Sequence, residues 1–125
     1  MTQPLLIKLI GRMPYQETTW EALKPMISFS ITESVMIGSR RMHPRTIVIQ
    51  DFTLSRYQAR IVLRENRWHV QDLRSENGSW LLETDQPRVN LIELTLITQD
   101  MIVLMGALVV QFDLTVIDFP SPDIL

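Results

Sequence analysis

The sequence contains no cysteine, which excludes disulfide scaffolds and thiolate metal sites. Histidine is nearly as scarce: His43 and His69 are the only two, and neither has the spaced partners that a metal site requires. With four glycines in the whole chain, Gly38 stands alone rather than in a phosphate-cradling P-loop, and Ser55 has no flanking nucleophile-elbow glycines. Ser55 also lacks His and Asp partners in any order that suggests a triad. Asp72 and Glu76 form no convincing acid pair and are expected on solvated turns. These deficits point away from catalysis and from any cofactor.

Long apolar runs are missing too. Residues 101–105 and 107–110 are the longest and fall far short of a membrane span. The first residues lack the charged region, long apolar stretch and cleavage site of a secretory signal. The expectation is a soluble, cytoplasmic protein. At 125 residues the chain suits one domain able to bury its own core. That domain is assigned to residues 1–119, with a short tail over 120–125.

Lysine is also rare: ten arginines stand against two lysines. Arginine suits bidentate recognition of phosphate or carboxylate. The net charge of -2 hides an uneven distribution. Between Gly38 and Arg67 lie seven arginines (40, 41, 45, 56, 60, 64 and 67) against Asp51 and Glu65. From Asp72 onward there are nine acids against Arg74 and Arg88. Arg60, Arg64 and Arg67 read mainly as decoration of solvent-facing strands. Because the overall balance is acidic, no nucleic-acid partner is expected.

What remains is a succession of short strands. Residues 5–10 (LLIKLI) read as a first strand, and 26–31 as another with Ile27, Phe29 and Ile31 on one face. Residues 35–37 lead into the Gly38 turn, and 47–49 are bracketed by His43-Pro44 and Gln50-Asp51. Residues 59–64 alternate between an apolar face and an arginine face, then turn at Glu65-Asn66-Arg67 into 68–71, an antiparallel hairpin. Residues 91–96, 101–105 and 108–117 complete an all-β sandwich. Over 18–24, Thr18-x-x-Glu21 is a capping box and Pro25 would stop a helix. The segment is either one helical turn or an irregular loop with Trp20 tucked onto the sheet, the loop being preferred.

Three turns carry the polar groups suited to an anion. Gly38-Ser39-Arg40-Arg41, Ser55-Arg56-Tyr57-Gln58-Ala59 and Asp72-Leu73-Arg74-Ser75-Glu76-Asn77-Gly78-Ser79 each offer hydroxyls, guanidinium groups or amides between apolar runs. A phosphothreonine carries close to two negative charges and three acceptor oxygens, so donors held on a rigid frame would suit it. Taken alone, Asn77-Gly78 is a hairpin turn. In this order and with these strands between them, the three turns point to a single loop surface.

In that order the chain resembles the forkhead-associated (FHA) domain, a phosphothreonine-peptide reader. The likeness covers roughly residues 5–119. It rests on Gly38, Ile47-Val48-Ile49, Ser55-Arg56-Tyr57-Gln58-Ala59, Trp68-His69-Val70-Gln71-Asp72-Leu73, Ser75-Glu76-Asn77-Gly78-Ser79 and residues 100–106. The resemblance implies a sandwich of about eleven strands whose loops at one end grip the ligand. It implies that Ser55 donates its hydroxyl to the phosphate and that Arg56 helps neutralise it. Asn77 would bond the peptide main chain, Arg74 and Glu76 would bear on flanking residues, and Gly78 would serve the turn. Arg40 takes the place of the family's arginine after the glycine, with Arg41 as its rival, because Ser39 intervenes. Gln58 stands where the family has a bracing histidine. The implied partner is a phosphothreonine-containing protein, a kinase substrate or part of a larger assembly. The alternative is phosphate-independent binding of a partner or of itself, for which Trp80 near the ligand end would speak.

Overall fold

The alternation of Leu5, Ile7 and Leu9 with Leu6, Lys8 and Ile10 sets the pattern of the whole molecule. The first three are 0–3% exposed, while the second set is half-buried on the opposite face of strand β1 (Leu5–Arg12). The computed structural model describes residues 3–14, 19–83 and 86–115. Within them β1 is followed by β2 (Glu21–Ile31), β3 (Val35–Gly38), β4 (Thr46–Val48), β5 (Ala59–Arg64) and β6 (Arg67–Asp72). Then come β7 (Ser79–Leu82), β8 (Val89–Asn90), β9 (Thr95–Leu96), β10 (Ile102–Met105) and β11 (Leu108–Asp113).

The strands form two sheets, one ordered β2-β1-β11-β10-β7-β8 and the other β4-β3-β5-β6-β9. All reported pairings are antiparallel except β3 with β4. Between the sheets lies one continuous core. Leu5, Ile7, Val103, Val110 and Phe112 from the first sheet belong to the same cluster as Ile37, Ile61, Trp68 and Val70 from the second. Buried and less buried residues alternate along β1 and β6, as sandwich packing demands. The all-β sandwich expected from the pattern, with the roughly eleven strands that the resemblance implies, is therefore the fold observed.

Leu91 joins the two sheets. Its N–H donates to Ser79 on β7 and its carbonyl accepts from Asp72 on β6. The strand expected over 91–96 is thus shortened to β9, paired with β6 in one sheet, while β8 lies just before that run and pairs with β7 in the other. The β5–β6 hairpin closes through Glu65 and Asn66, whose φ values of 53° and 60° match the turn that suits twisted strands.

Residues 21–24 are strand, neither the helical turn nor the preferred irregular loop. Glu21 and Ala22 are strand, paired with Arg12 and Gly11, while Thr18 lies outside the described residues. The register jumps from Ala22–Gly11 to Ile27–Leu9, so Pro25 falls in a bulge of an edge strand. There its missing N–H costs no ladder bond. Trp20 lies across Gly11, where a Cβ would collide with its ring. Docking of this segment along β1 overrides its local capping signal. The tail over 120–125 and the end of the expected 108–117 strand lie outside the described residues. No helix among the described residues is long and apolar enough to cross a membrane.

Candidate functional site

At one end of the sandwich, Gly38 closes β3 directly against the turn that carries Ser55 and Arg56. A Cβ at residue 38 would fall on the Arg56 carbonyl group, its carbon only 2.9 Å away. The backbone continues the contact: Ser39 N–H donates to Ser55 O, and Gln58 N–H to Ile37 O, both at 3.0 Å. Absence of a side chain at residue 38 is therefore what lets these two loops meet.

Gln58 is completely buried and braces a third loop against them. Its Oε1 accepts from Ser55 N–H at 3.0 Å. Its Nε2 donates to Ser75 Oγ, Gly78 O and Ser79 Oγ at 3.0, 2.9 and 3.0 Å. Two amide hydrogens shared among three acceptors make one of these bonds bifurcated. Asp72 extends the network: its carboxylate accepts from Ser75 Oγ, from Ser75 N–H at 3.0 Å and from Ser79 Oγ at 2.7 Å. Asp72 is 6% exposed. The expectation of a solvated Asp72 is thus corrected, because three donors from the β6–β7 loop replace its water. Glu76 is exposed as expected.

Ser55 sits where the three loops converge. Its Oγ accepts a 2.8 Å hydrogen bond from the Glu76 backbone N–H. A hydroxyl that accepts from that side keeps its own proton for a further acceptor. Beside it opens a cleft of about 430 Å³ lined by Ser39, Ser55, Arg56, Tyr57, Arg74 and Glu76, with Leu54 and Leu73. Arg74 is held at a φ of 55°. Among the described residues, neither Arg56, Arg74 nor Arg40 forms an ion pair with a carboxylate. The cleft is thus a concave, cationic surface with a hydroxyl donor at its wall.

The structure brings together Ser55, Arg56 and Arg74 of the expected set, with Gly38, Gln58 and Gly78 supporting them. Arg40 is exposed on the neighbouring loop and does not line the cleft. Arg41 is turned back on its own loop, donating to Pro44 O at 3.0 Å. Asn77 stands on the far side of Glu76 from Arg74, its Nδ2 donating to Thr53 O at 2.9 Å. Gly78, at φ 82°, leaves room for Trp80, whose ring nitrogen would lie 2.5 Å from a Cβ there.

Sequence reading passed over Thr53, Asp51 and Arg12. Thr53 Oγ1 donates to Asp51 Oδ1 at 2.6 Å and accepts from Ala107 N–H at 2.9 Å. Asp51 also accepts from Thr53 N–H at 2.9 Å and from Arg12 Nε at 3.1 Å. Burial by itself would raise the Asp51 carboxyl. The hydrogen bonds from Thr53 and Arg12, with the Arg12 charge, outweigh it and hold the group below its ordinary value. The Asp-x-Thr spacing is a local turn signal that could have marked this loop; Arg12, 39 residues away, has no such signal. Among the described residues, no cluster of three or more His, Asp or Glu side chains could hold a metal ion.

With this geometry in view, comparison with known proteins is informative. The family model of the FHA domain matches residues 35–106. No curated protein matches the sequence. An FHA domain of an Arabidopsis thaliana hypothetical protein superposes with a TM-score of 0.64 at 17% identity, covering 92% of this chain and 89% of that one. A domain solved in a study of phosphothreonine-dependent FHA domain interactions gives 0.59 at 13% identity, over 90% and 97% of the two chains. Mycobacterium tuberculosis EmbR, solved in complex with a low-affinity phosphopeptide, gives 0.57 at 17% identity, over 87% of this chain and 24% of EmbR.

Proposed function

The chain belongs to the FHA domain family, and from that premise we propose that it is a non-catalytic module binding phosphothreonine-containing segments of a partner protein. The observation that carries this reading is the Ser55 hydroxyl. Its oxygen is engaged by Glu76 N–H, so its proton is directed to an outside acceptor, within a cleft flanked by Arg56 and Arg74. A phosphate dianion offers three acceptor oxygens and the charge that these guanidinium groups lack among the described residues. Arg40 stands exposed on the adjoining loop, a further cation for the same phosphate. Asn77 Oδ1 accepts from the peptide main chain while its Nδ2 stays on Thr53. The phosphopeptide bound by EmbR supports the same ligand class here. A module of this kind couples a threonine kinase to the assembly that its substrate joins.

The test is calorimetric titration with a degenerate phosphothreonine peptide pool, its unphosphorylated twin and the Ser55→Ala variant. Heat confined to the phosphorylated pool and lost in the variant is the expected result. Equal binding of both pools would remove the phosphate from the site and leave the phosphate-independent reading, whereas phosphate-dependent binding undiminished in the variant would assign the phosphate to a group other than Ser55.

A further inference from the structure

The edges of the two sheets are unequal. β4, β8 and β9 are three, two and two residues long, and edges that short offer little backbone to another strand. β2, the remaining edge, runs for eleven residues along β1. Its charged residues, Glu21 and Lys24, both precede Pro25, so residues 25–32 carry no charge. We propose that this edge pairs antiparallel with β2 of a second copy of the chain, centred on Phe29, and that the protein forms a symmetric dimer through it.

The sequence of the edge selects the occupant. Ile27-Ser28-Phe29-Ser30-Ile31 reads the same in both directions. A two-fold axis at Phe29 therefore sets Ile27 of each copy opposite Ile31 of the other, Ser28 opposite Ser30, and the two Phe29 rings side by side. Residues directly opposite in an antiparallel pair share a face. Apolar side chains then meet on one face and hydroxyls on the other, in both directions at once, as an isologous contact requires. A slip of one residue would turn the apolar face of one copy to the wrong side of the joint sheet.

The side chains concerned are available. Ile27 is 48% exposed and Phe29 only partly buried, on the core side of the sheet opposite Leu9 and Ile7 of β1. Ser28 and Ser30 are exposed on the outer side. A second β2 laid alongside covers Ile27 and Phe29 and joins the two six-stranded sheets into one. Pro25 has no N–H and lies in the bulge, and Ile31 ends the strand, so the pairing is confined between them. β8, at the other edge of the same sheet, is too short to add a further copy, and association stops at two. Residues 27–31 lie beside residues 5–9 of β1, whereas Arg12 at the other end of β1 reaches Asp51 on the loop side. The dimer leaves the Ser55 cleft open, and the inference does not depend on the phosphothreonine reading.

The experiment is sedimentation equilibrium of the wild type from low micromolar to millimolar concentration. Hydrogen exchange of the amides in residues 27–31 that face away from β1 is followed over the same range. Two double variants test the register. Ser28→Glu with Ser30→Glu sets like charges opposite one another across the two-fold axis, and Ser28→Glu with Ser30→Lys sets opposite charges there. Both residues are exposed, and Ser28 faces Lys8 on β1, so both variants should melt close to the wild type.

Expected is a monomer–dimer equilibrium in the wild type, with exchange along 27–31 slowing as the dimer forms. The first variant should stay monomeric throughout, and the second should dimerise about tenfold more tightly at low salt. A wild type still monomeric at millimolar concentration would overturn the inference. So would a dimer indifferent to both variants, which would lie on another surface. Slow exchange along 27–31 in a monomer would overturn it as well, because the chain itself then covers the edge.

Discussion

The Arg56 carbonyl occupies the space that a Cβ on Gly38 would need, so the end of β3 and the turn that carries Ser55 are in direct backbone contact. Gly38→Ala forces these two backbones apart, and neither is the flexible end of a side chain. The expected cost is about 1–3 kcal/mol of stability, typical of overpacking a tight contact. Phosphopeptide affinity should fall further than stability does, because Ser55 moves with Arg56. Urea unfolding and titration of the same preparation would separate the two effects.

Ser55→Ala should leave the fold nearly untouched. Among the described residues the hydroxyl's one intramolecular bond is to Glu76 N–H in an exposed setting, where water can replace it, so the change in stability should stay under about 1 kcal/mol. Phosphopeptide binding should disappear. Retained affinity in a well-folded variant would show that another group holds the phosphate.

Gln58→Leu preserves the approximate shape of the side chain and removes four hydrogen bonds in a fully buried position. Ser55 N–H loses its acceptor, Gly78 O keeps only the bond from Gly106 N–H, and Ser79 Oγ keeps only its bond to Asp72. A loss of about 2–4 kcal/mol is expected, read as a lower urea midpoint. A variant as stable as the wild type would mean that the network closes through Asp72 alone.

Trp68 is 4% exposed and donates its ring N–H to Gln3 O at 3.0 Å. Trp68→Ala should cost about 3–5 kcal/mol by opening a cavity in the shared core. Its distance in the fold from the loop end predicts that any protein remaining folded binds phosphopeptide normally, which titration at low temperature would check.

Acid should loosen the Phe52 loop through Asp51. The folded carboxyl lies below its ordinary value of 3.8, so its contribution is complete above that pH and is lost as pH falls through the folded value. The stability gap between the wild type and Asp51→Asn should therefore be widest near neutral pH. It should begin to close only as pH falls below the ordinary value of 3.8, and go on closing through the folded value. A pH-independent gap would indicate that packing, not charge, is what Asp51 contributes.

Much of this molecule was legible because its signals are local. Alternation in residues 5–10 and 59–64 is a period-two pattern that one strand displays without help from the rest of the chain. Gly38, Ser55-Arg56 and Asn77-Gly78 are turn chemistry of the same kind, and their order along the chain carried the family resemblance. The candidate site inherits its Ser55, Arg56 and Arg74 from that reading.

The remainder depended on partners far away in sequence. Gln58 finds Gly78 and Ser79 across 20 and 21 residues, and Asp51 finds Arg12 across 39. No local pattern foretells such pairs, since they exist only once the loops are brought to one end of the sandwich. The same packing overrode the capping box at residues 18–21 by extending β2 along β1, and it drew Asp72 out of water by surrounding it with donors. Sequence alone determined that the chain forms strands and where its polar turns fall, because those are properties of neighbouring residues. Only the tertiary structure decided which carboxylate is buried, which hydroxyl keeps its proton free and which aromatic stands out near the Ser55 cleft, because each depends on what the opposite sheet and loop supply.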